Sequence, residues 1–264
     1  MIVAQEIDID YSASVERVLI PSAWVRAAID AHKRIGIAAT GARTASLDVA
    51  DEGRDANAFC GAHGIVVEHI EQWSGAGGDI FGTVERAFGL CDVRGYRKLR
   101  YDADGLGAGI RGDARKINEA RTVQIEVEAF RGSEAPFNPE GEDEPGRKNK
   151  DFFANRKAQA WWALRKRFKQ THRVISEIEE HGRPLTSATH DDLISLSSEM
   201  GFLAKLVSEL SQPTYAVNTI GKILVDKMPE GAKSPNLADA VMIQFSQVAR
   251  APMRISQAAL DAFR

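Results

Sequence analysis

Cysteine is scarce in this chain of 264 residues: there are two, Cys60 and Cys91, and they form no CxxC pair. That scarcity suits a reducing compartment, with both thiols serving as small buried hydrophobes rather than as a disulfide. Long apolar runs are missing too. None approaches the ~18 residues that span a bilayer, and the N-terminus carries no signal-peptide pattern, so neither a membrane span nor secretion is expected. His63, His69 and His190 lack zinc spacing, no cysteine–histidine set accompanies them, and no serine sits in a nucleophile elbow. No internal repeat is visible.

What is present is ordinary in bulk and uneven in placement. The length suits one large domain or two small ones, and 44% hydrophobic with 27% charged residues is typical of a globular protein. Net charge is −3, so the chain as a whole is not a polycation. Yet Gly146 to Arg173 holds ten Lys or Arg against one acid, Asp151. Just upstream, "GSEAPFNPEGEDEPG" (132–146) is acidic and rich in Pro and Gly. It predicts a flexible loop inside a domain, because apolar patterning resumes on both sides.

Periodicity supplies the elements. "SAWVRAAIDAHKRIG" (22–36) predicts a helix ending at Gly36, and "TASLDVA" (44–50) a short buried strand. Residues 57–73 form two apolar runs split at 62–64, the pattern of a hairpin. Residues 78–95 are helical, with Ile80, Val84, Ala87, Phe88 and Cys91 on one face. "KLRYDADG" is a strand entering a glycine turn, followed by a helix to about Ala120. "TVQIEVEAF" (122–130) alternates as a strand does. Residues 151–180 form a long helix with a basic polar side, and 191–210 a strand or helix followed by a helix. Residues 213–227 predict a hairpin turning near 218–221, and "SPNLADAVMIQFSQVA" a final helix. Three antiparallel strands followed by βαβα is the order of a ribonuclease H-like α/β fold: a mixed sheet with helices on both faces, here with an extra β-hairpin. A right-handed crossover then sets the first and fourth strands side by side in parallel.

That topology places acids together. Asp48 ends the first strand and Asp102 the fourth, and neighbouring strands lie ~4.8 Å apart. Asp239, near the start of the last helix, completes the group from above. Three clustered carboxylates repel one another unless cations neutralise them, and hard oxygen donors select Mg²⁺ or Mn²⁺. "GLGAGI" also suggests a dinucleotide turn, with Glu126 at the ribose-binding distance, but Asp102 and Asp104 would repel a pyrophosphate there. Trp161 and Trp162 read as core packing, because Ala158, Trp161, Arg165 and Phe168 share one helical stripe.

Six stretches, spread in order over nearly the whole chain, resemble the C-terminal nuclease domain of the large terminase subunit of tailed bacteriophages. They are "ASVERVLIPSAWVRAAIDAH", "LDVADEGRD", "YDADGLGAGI", "RKAQAWWALRKRF", "LSQPTYAVNTIGKILVDK" and "KSPNLADAV". The resemblance implies a ribonuclease H-like nuclease domain over 37–264, with 1–36 a linker-like segment and helix leading into it. It implies two Mg²⁺ or Mn²⁺ ions held by Asp48, Asp102 and Asp239, and hydrolysis of DNA phosphodiesters. Asp104 stands where the family often has an uncharged residue, which leaves open a role as accessory ligand. Asp51 is an outer-shell candidate. Lys148, Lys150, Arg156, Lys157 and Lys222 are the candidate DNA-backbone contacts. The family's ATPase motor carries GxxxxGK[ST]; here the only Gly-Lys pair, Gly221–Lys222, is followed by Ile223, so this chain is expected to lack the motor. Implied partners are double-stranded DNA and, in the full-length protein, the motor domain, the portal protein and the small terminase subunit, in the cytoplasm of an infected bacterium. Two alternatives use the same fold: a resolvase- or transposase-type nuclease, and a DNA- or portal-docking domain without strong catalysis.

Overall fold

The computed structural model describes residues 17–50, 56–75, 79–185, 187–229 and 231–247; Asp51 lies outside them. Two short helices come first, α1 (Ser22–Ala27) and α2 (Ala31–Ile35). The sheet follows with β1 (Arg43–Asp48), β2 (Ala56–His63), β3 (Val66–Ser74), α3 (Ile80–Arg94), β4 (Lys98–Asp102), α4 (Ile110–Glu119) and β5 (Glu126–Phe130). Then come α5 (Asn149–Phe152), α6 (Arg156–His181), β6 (Ser195–Leu196), α7 (Leu203–Leu210), the β7–β8 hairpin (Thr214–Val217, Ile223–Asp226) and α8 (Asn236–Gln244). The main sheet runs β5-β4-β1-β2-β3-β6. β1, β2 and β3 are antiparallel neighbours, whereas β1–β4, β4–β5 and β3–β6 pair in parallel. This is the ribonuclease H-like order expected from the sequence, with the first and fourth strands adjacent.

Each strand divides its residues between two cores, because successive side chains point to opposite faces. Ala45, Leu47, Leu99 and Tyr101 pack with Val84, Phe88 and Ile110 of α3 and α4. On the other face Ala58, Cys60 and Ile70 meet Trp161, Leu164 and Phe168 of α6 and Leu237 to Ile243 of α8. Cys60 and Cys91 therefore lie in different cores; both are free, and burial pushes each thiol up to about 12. The helices begin and end where local chemistry allows. Asp79 accepts from Gly82 N at 2.8 Å to start α3, and Gly95, at φ 74°, ends it. Asn155 caps α6 by accepting from Ala158 N at 2.8 Å.

Trp161 is fully buried, in agreement with its expected core role, while Trp162 is half-buried and donates from Nε1 to Glu144 Oε1 at 2.9 Å. Arg165 is half-buried; it lies against the rings of Trp24, Trp162 and Tyr215 and donates to the Leu19 carbonyl. Trp161→Ala is expected to cost about 3–5 kcal/mol of stability. The check is a lower denaturant midpoint at unchanged slope.

Three local expectations need correction. The helix expected over 22–36 is broken at 28–30, where Asp30 is left-handed at φ 50°. There the chain serves β6 instead: Asp30 N donates to Leu196 O at 2.8 Å, and the Asp30 carboxylate accepts from Ser198 N at 3.0 Å and Ser198 Oγ at 2.7 Å. β5 starts at Glu126 rather than Thr122, since Asn118 at the end of α4 bonds both N and O of Ile125. Finally, the acidic stretch 132–146 is not loose. It wraps around Asn149 and Gln159, both buried: Asn149 Nδ2 donates to Asn138 O at 3.0 Å, Gln159 Nε2 to Asp143 Oδ2 at 2.7 Å, and Phe137 N to Gln159 Oε1 at 2.6 Å. These internal amide bonds replace the regular structure that Pro and Gly exclude.

Candidate active site

The β1–β4 register pairs Leu47 with Tyr101, so one step further sets Asp48 beside Asp102 at the C-terminal edge of the sheet. Ser46 and Asp48 share one face, as do Arg100 and Asp102, and α8 lies across it. Ser46 Oγ donates to Ala240 O at 2.7 Å, and Arg100 Nη1 donates to Gln244 O at 2.6 Å. Gln244 Nε2 reaches Thr44 Oγ1 at 2.5 Å. These bonds align α8 along the strands with its first turn over the aspartates. Asp239, in that turn, is 1% exposed. From α7, Glu209 Oε2 accepts from Leu237 N at 2.7 Å and Ala238 N at 3.2 Å, which closes the open N-terminus of α8.

Charge in the cluster is balanced from two sides. Lys227, just after β8, places Nζ 2.5 Å from Asp239 Oδ2, and Lys157, in the first turn of α6, places Nζ 3.5 Å from Oδ1. Burial pushes Asp48 well above the usual carboxylate range, and the charges of Asp239 and Asp102 push it further, against Lys227 and Lys157. Asp102 is raised by burial too, while the Asp104 N–H and Lys157 pull the other way. For Lys227, burial favours the neutral amine, yet Asp239 and Asp48 outweigh it and hold the ammonium up to about 12. The three acids thus feel one another directly.

The turn after β4 separates its two aspartates. Asp102 Oδ1 accepts from Asp104 N at 3.0 Å, whereas the Asp104 carboxylate is bound to Ser133, from N and from Oγ, both at 2.9 Å. Gly107 packs onto Asp102 so closely that a Cβ there would lie 1.7 Å from the Asp102 carbonyl oxygen.

Of the five expected phosphate contacts, Lys157 alone enters this cluster. Lys148 and Lys150 both pair with Glu140, at 2.8 and 2.6 Å, and Arg156 pairs with Glu134 at 2.9 Å. Lys222 sits on the β7–β8 turn, where its N–H donates to Asn218 Oδ1 at 2.8 Å. Lys227 and Glu209 were not anticipated. Lys227 ends one of the six family-like stretches, which was the available signal; nothing local marks Glu209, whose partners lie 28 and 29 positions away.

Among the described residues, no three His, Cys, Asp or Glu already lie close enough to hold a metal ion. Lys227 and Lys157 pair with the Asp239 carboxylate. The donor set nonetheless fits a hard divalent cation. It is all carboxylate oxygen, and Asp239 Oδ1 is buried with no hydrogen-bond partner.

The nuclease domain of the large terminase subunit of bacterial virus Sf6 is 33% identical to this chain, covers 88% of it at a TM-score of 0.78, and is itself matched over 100% of its length. A variant of that domain with manganese and β-thujaplicinol is similar at 33% identity and a TM-score of 0.77, and one with calcium at 34% and 0.75. No family model and no curated protein sequence matches.

Proposed function

Because this chain belongs to the nuclease domains of tailed-phage large terminase subunits, we propose that it hydrolyses phosphodiester bonds of double-stranded DNA, cutting concatemeric viral DNA during genome packaging. The observation that carries this reading is the placement of Asp48 beside Asp102 at the C-terminal edge of the sheet, under the first turn of α8 with its buried Asp239. Asp48, Asp102 and Asp239 would together hold two ions of Mg²⁺ or Mn²⁺. Such ions supply an activated water and charge neutralisation at the scissile phosphate. Manganese with the Sf6 domain supports the choice of ion.

The chain's own groups do the rest. Burial keeps the carboxylates short of water, so charge compensation has to come from within the site. Lys227 and Lys157 provide it when no divalent ion is bound, and both can turn toward the DNA phosphate once an ion takes their place. Asp104, occupied with Ser133, positions the turn that carries Asp102 rather than binding an ion. Asp51 retains its proposed outer-shell role. The motor domain, the portal protein and the small subunit are the proposed partners of the complete terminase.

Incubation with supercoiled plasmid tests this. Nicked and linear products are expected in Mn²⁺ and Mg²⁺ and none in EDTA. A protein whose melting temperature rises with Mn²⁺ but which leaves plasmid intact would be a docking domain, and the nuclease reading would fall.

Lys227→Ala is expected to lower the melting temperature without divalent ion and to enlarge the rise produced by Mn²⁺, because the metal no longer competes with an ammonium for Asp239. Equal Mn²⁺-induced rises in variant and wild type would contradict that competition.

A further inference from the structure

We propose that the DNA backbone is tracked by Arg111 and Arg115 of α4 together with Arg131 at the end of β5, and not by the basic run of 146–173; this rests on the nuclease reading above. The basic run is largely consumed inside the protein. Lys148 and Lys150 share Glu140, Arg156 pairs with Glu134, Lys157 with Asp239, Lys166 with Glu144, and Arg173 with Glu177. Arg147 donates to the carbonyls of Asp151 and Gly221, each at 3.0 Å, and Arg167 to Leu193 O at 2.8 Å. A cation already paired with a carboxylate gains little from exchanging it for a phosphate.

The α4 flank differs. Arg111 and Arg115 are exposed and have no ion pair among the described residues. They lie one turn apart beside the buried Ile110 and Ala114, on the flank of Asn118, whose amide donates to Ile125 O at 2.8 Å next to β5. Asp113, the acid of the first turn, lies roughly half a turn away on the opposite flank. Arg131 follows Phe130, the residue paired with Asp102, and its nearest acid, Glu134, is 4.0 Å away and already holds Arg156. α4 begins at Ile110, directly after the glycine turn that packs Gly107 onto Asp102, which sets Arg111 at the same end of β4, on the α4 side of the sheet. Arg131 and Arg111 thus stand beside the end of β4 that carries Asp102, with Arg115 one helical turn further along α4; Arg111 and Arg115 have no ion pair among the described residues, and Arg131 has a single one at 4.0 Å. This spacing suits a polyanion passing the acids: the guanidinium groups hold successive phosphates while the cluster faces one of them.

The test is binding of a short fluorescent duplex in EDTA, so that nothing is cut, with plasmid cleavage in Mn²⁺ run in parallel. The double variant Arg111→Ala/Arg115→Ala is expected to bind about tenfold more weakly, with a salt slope shallower by about 2 between about 50 and 200 mM salt. Lys148→Ala/Lys150→Ala should bind within about twofold of wild type. Both pairs are exposed, so melting temperatures should hold. If the α4 variant binds like wild type, or the Lys148/Lys150 variant carries the loss, the track is overturned while wild-type cleavage leaves the nuclease reading intact. Wild-type protein that binds through α4 but never cuts would refute the nuclease reading and leave the track standing. Wild-type protein that does not bind the duplex overturns the track.

Discussion

Asp48→Asn is expected to leave supercoiled plasmid uncut in Mn²⁺, a loss of about a thousandfold or more, equivalent to ~4 kcal/mol in the barrier. The same variant should melt no lower than wild type in EDTA, and at neutral pH somewhat higher. The amide keeps the shape of the side chain and removes a charge that burial, Asp239 and Asp102 all disfavour. The sign follows from linkage. An acid whose folded pKa is raised contributes stability below its unfolded value of 3.8, and that contribution is lost as pH climbs through the raised value. Metal-free wild type should therefore lose stability as pH rises out of the acid range, and Asp48→Asn should show a flatter profile. The melting rise with Mn²⁺ should shrink in the variant as well. Cleavage at the wild-type rate would remove Asp48 from the mechanism.

Gly107→Ala is the second large expected effect. A methyl group there meets the Asp102 carbonyl oxygen at 1.7 Å, and a main-chain atom has no rotamer to escape into. Either the glycine turn opens or Asp102 moves, so plasmid cutting should fall by about a hundredfold. Stability should drop by about 1–3 kcal/mol. Gly109→Ala and Gly112→Ala are the controls, since a Cβ at either meets nothing within 4 Å. At those positions alanine should be neutral or stabilise by up to ~1 kcal/mol. Should Gly107→Ala cut normally while the controls behave as stated, the close contact does not position Asp102.

The glycine turn also explains why two aspartates, indistinguishable as letters, differ in the fold. "YDADG" contains two acids one residue apart, and strand alternation alone cannot say which faces α8, because the strand ends between them. Ser133, 29 positions on, decides it by taking both oxygens of Asp104. The basic run is a similar case. Its composition suggested a surface for phosphates, but the acids of the preceding loop and of α6 itself claim half of its ten cations, and the loop pairings depend on a segment that closes on Asn149.

Local rules were enough for the order of strands and helices, the hairpin at 214–226, the left-handed glycine at 36 and the alternation that divides each strand between two cores. These depend on backbone sterics and on a period of two or 3.6, which neighbouring residues carry by themselves. They also sufficed to set Asp48 beside Asp102, because parallel pairing and a right-handed crossover leave few alternatives. Only the tertiary structure decided the break at Asp30, the grip of Glu209 on α8, the lysines facing Asp239 and the absence of ion pairs at Arg111 and Arg115 among the described residues. Each of those depends on a partner 12 or more positions away, or on whether one exists at all, and no local period encodes the meeting of distant side chains.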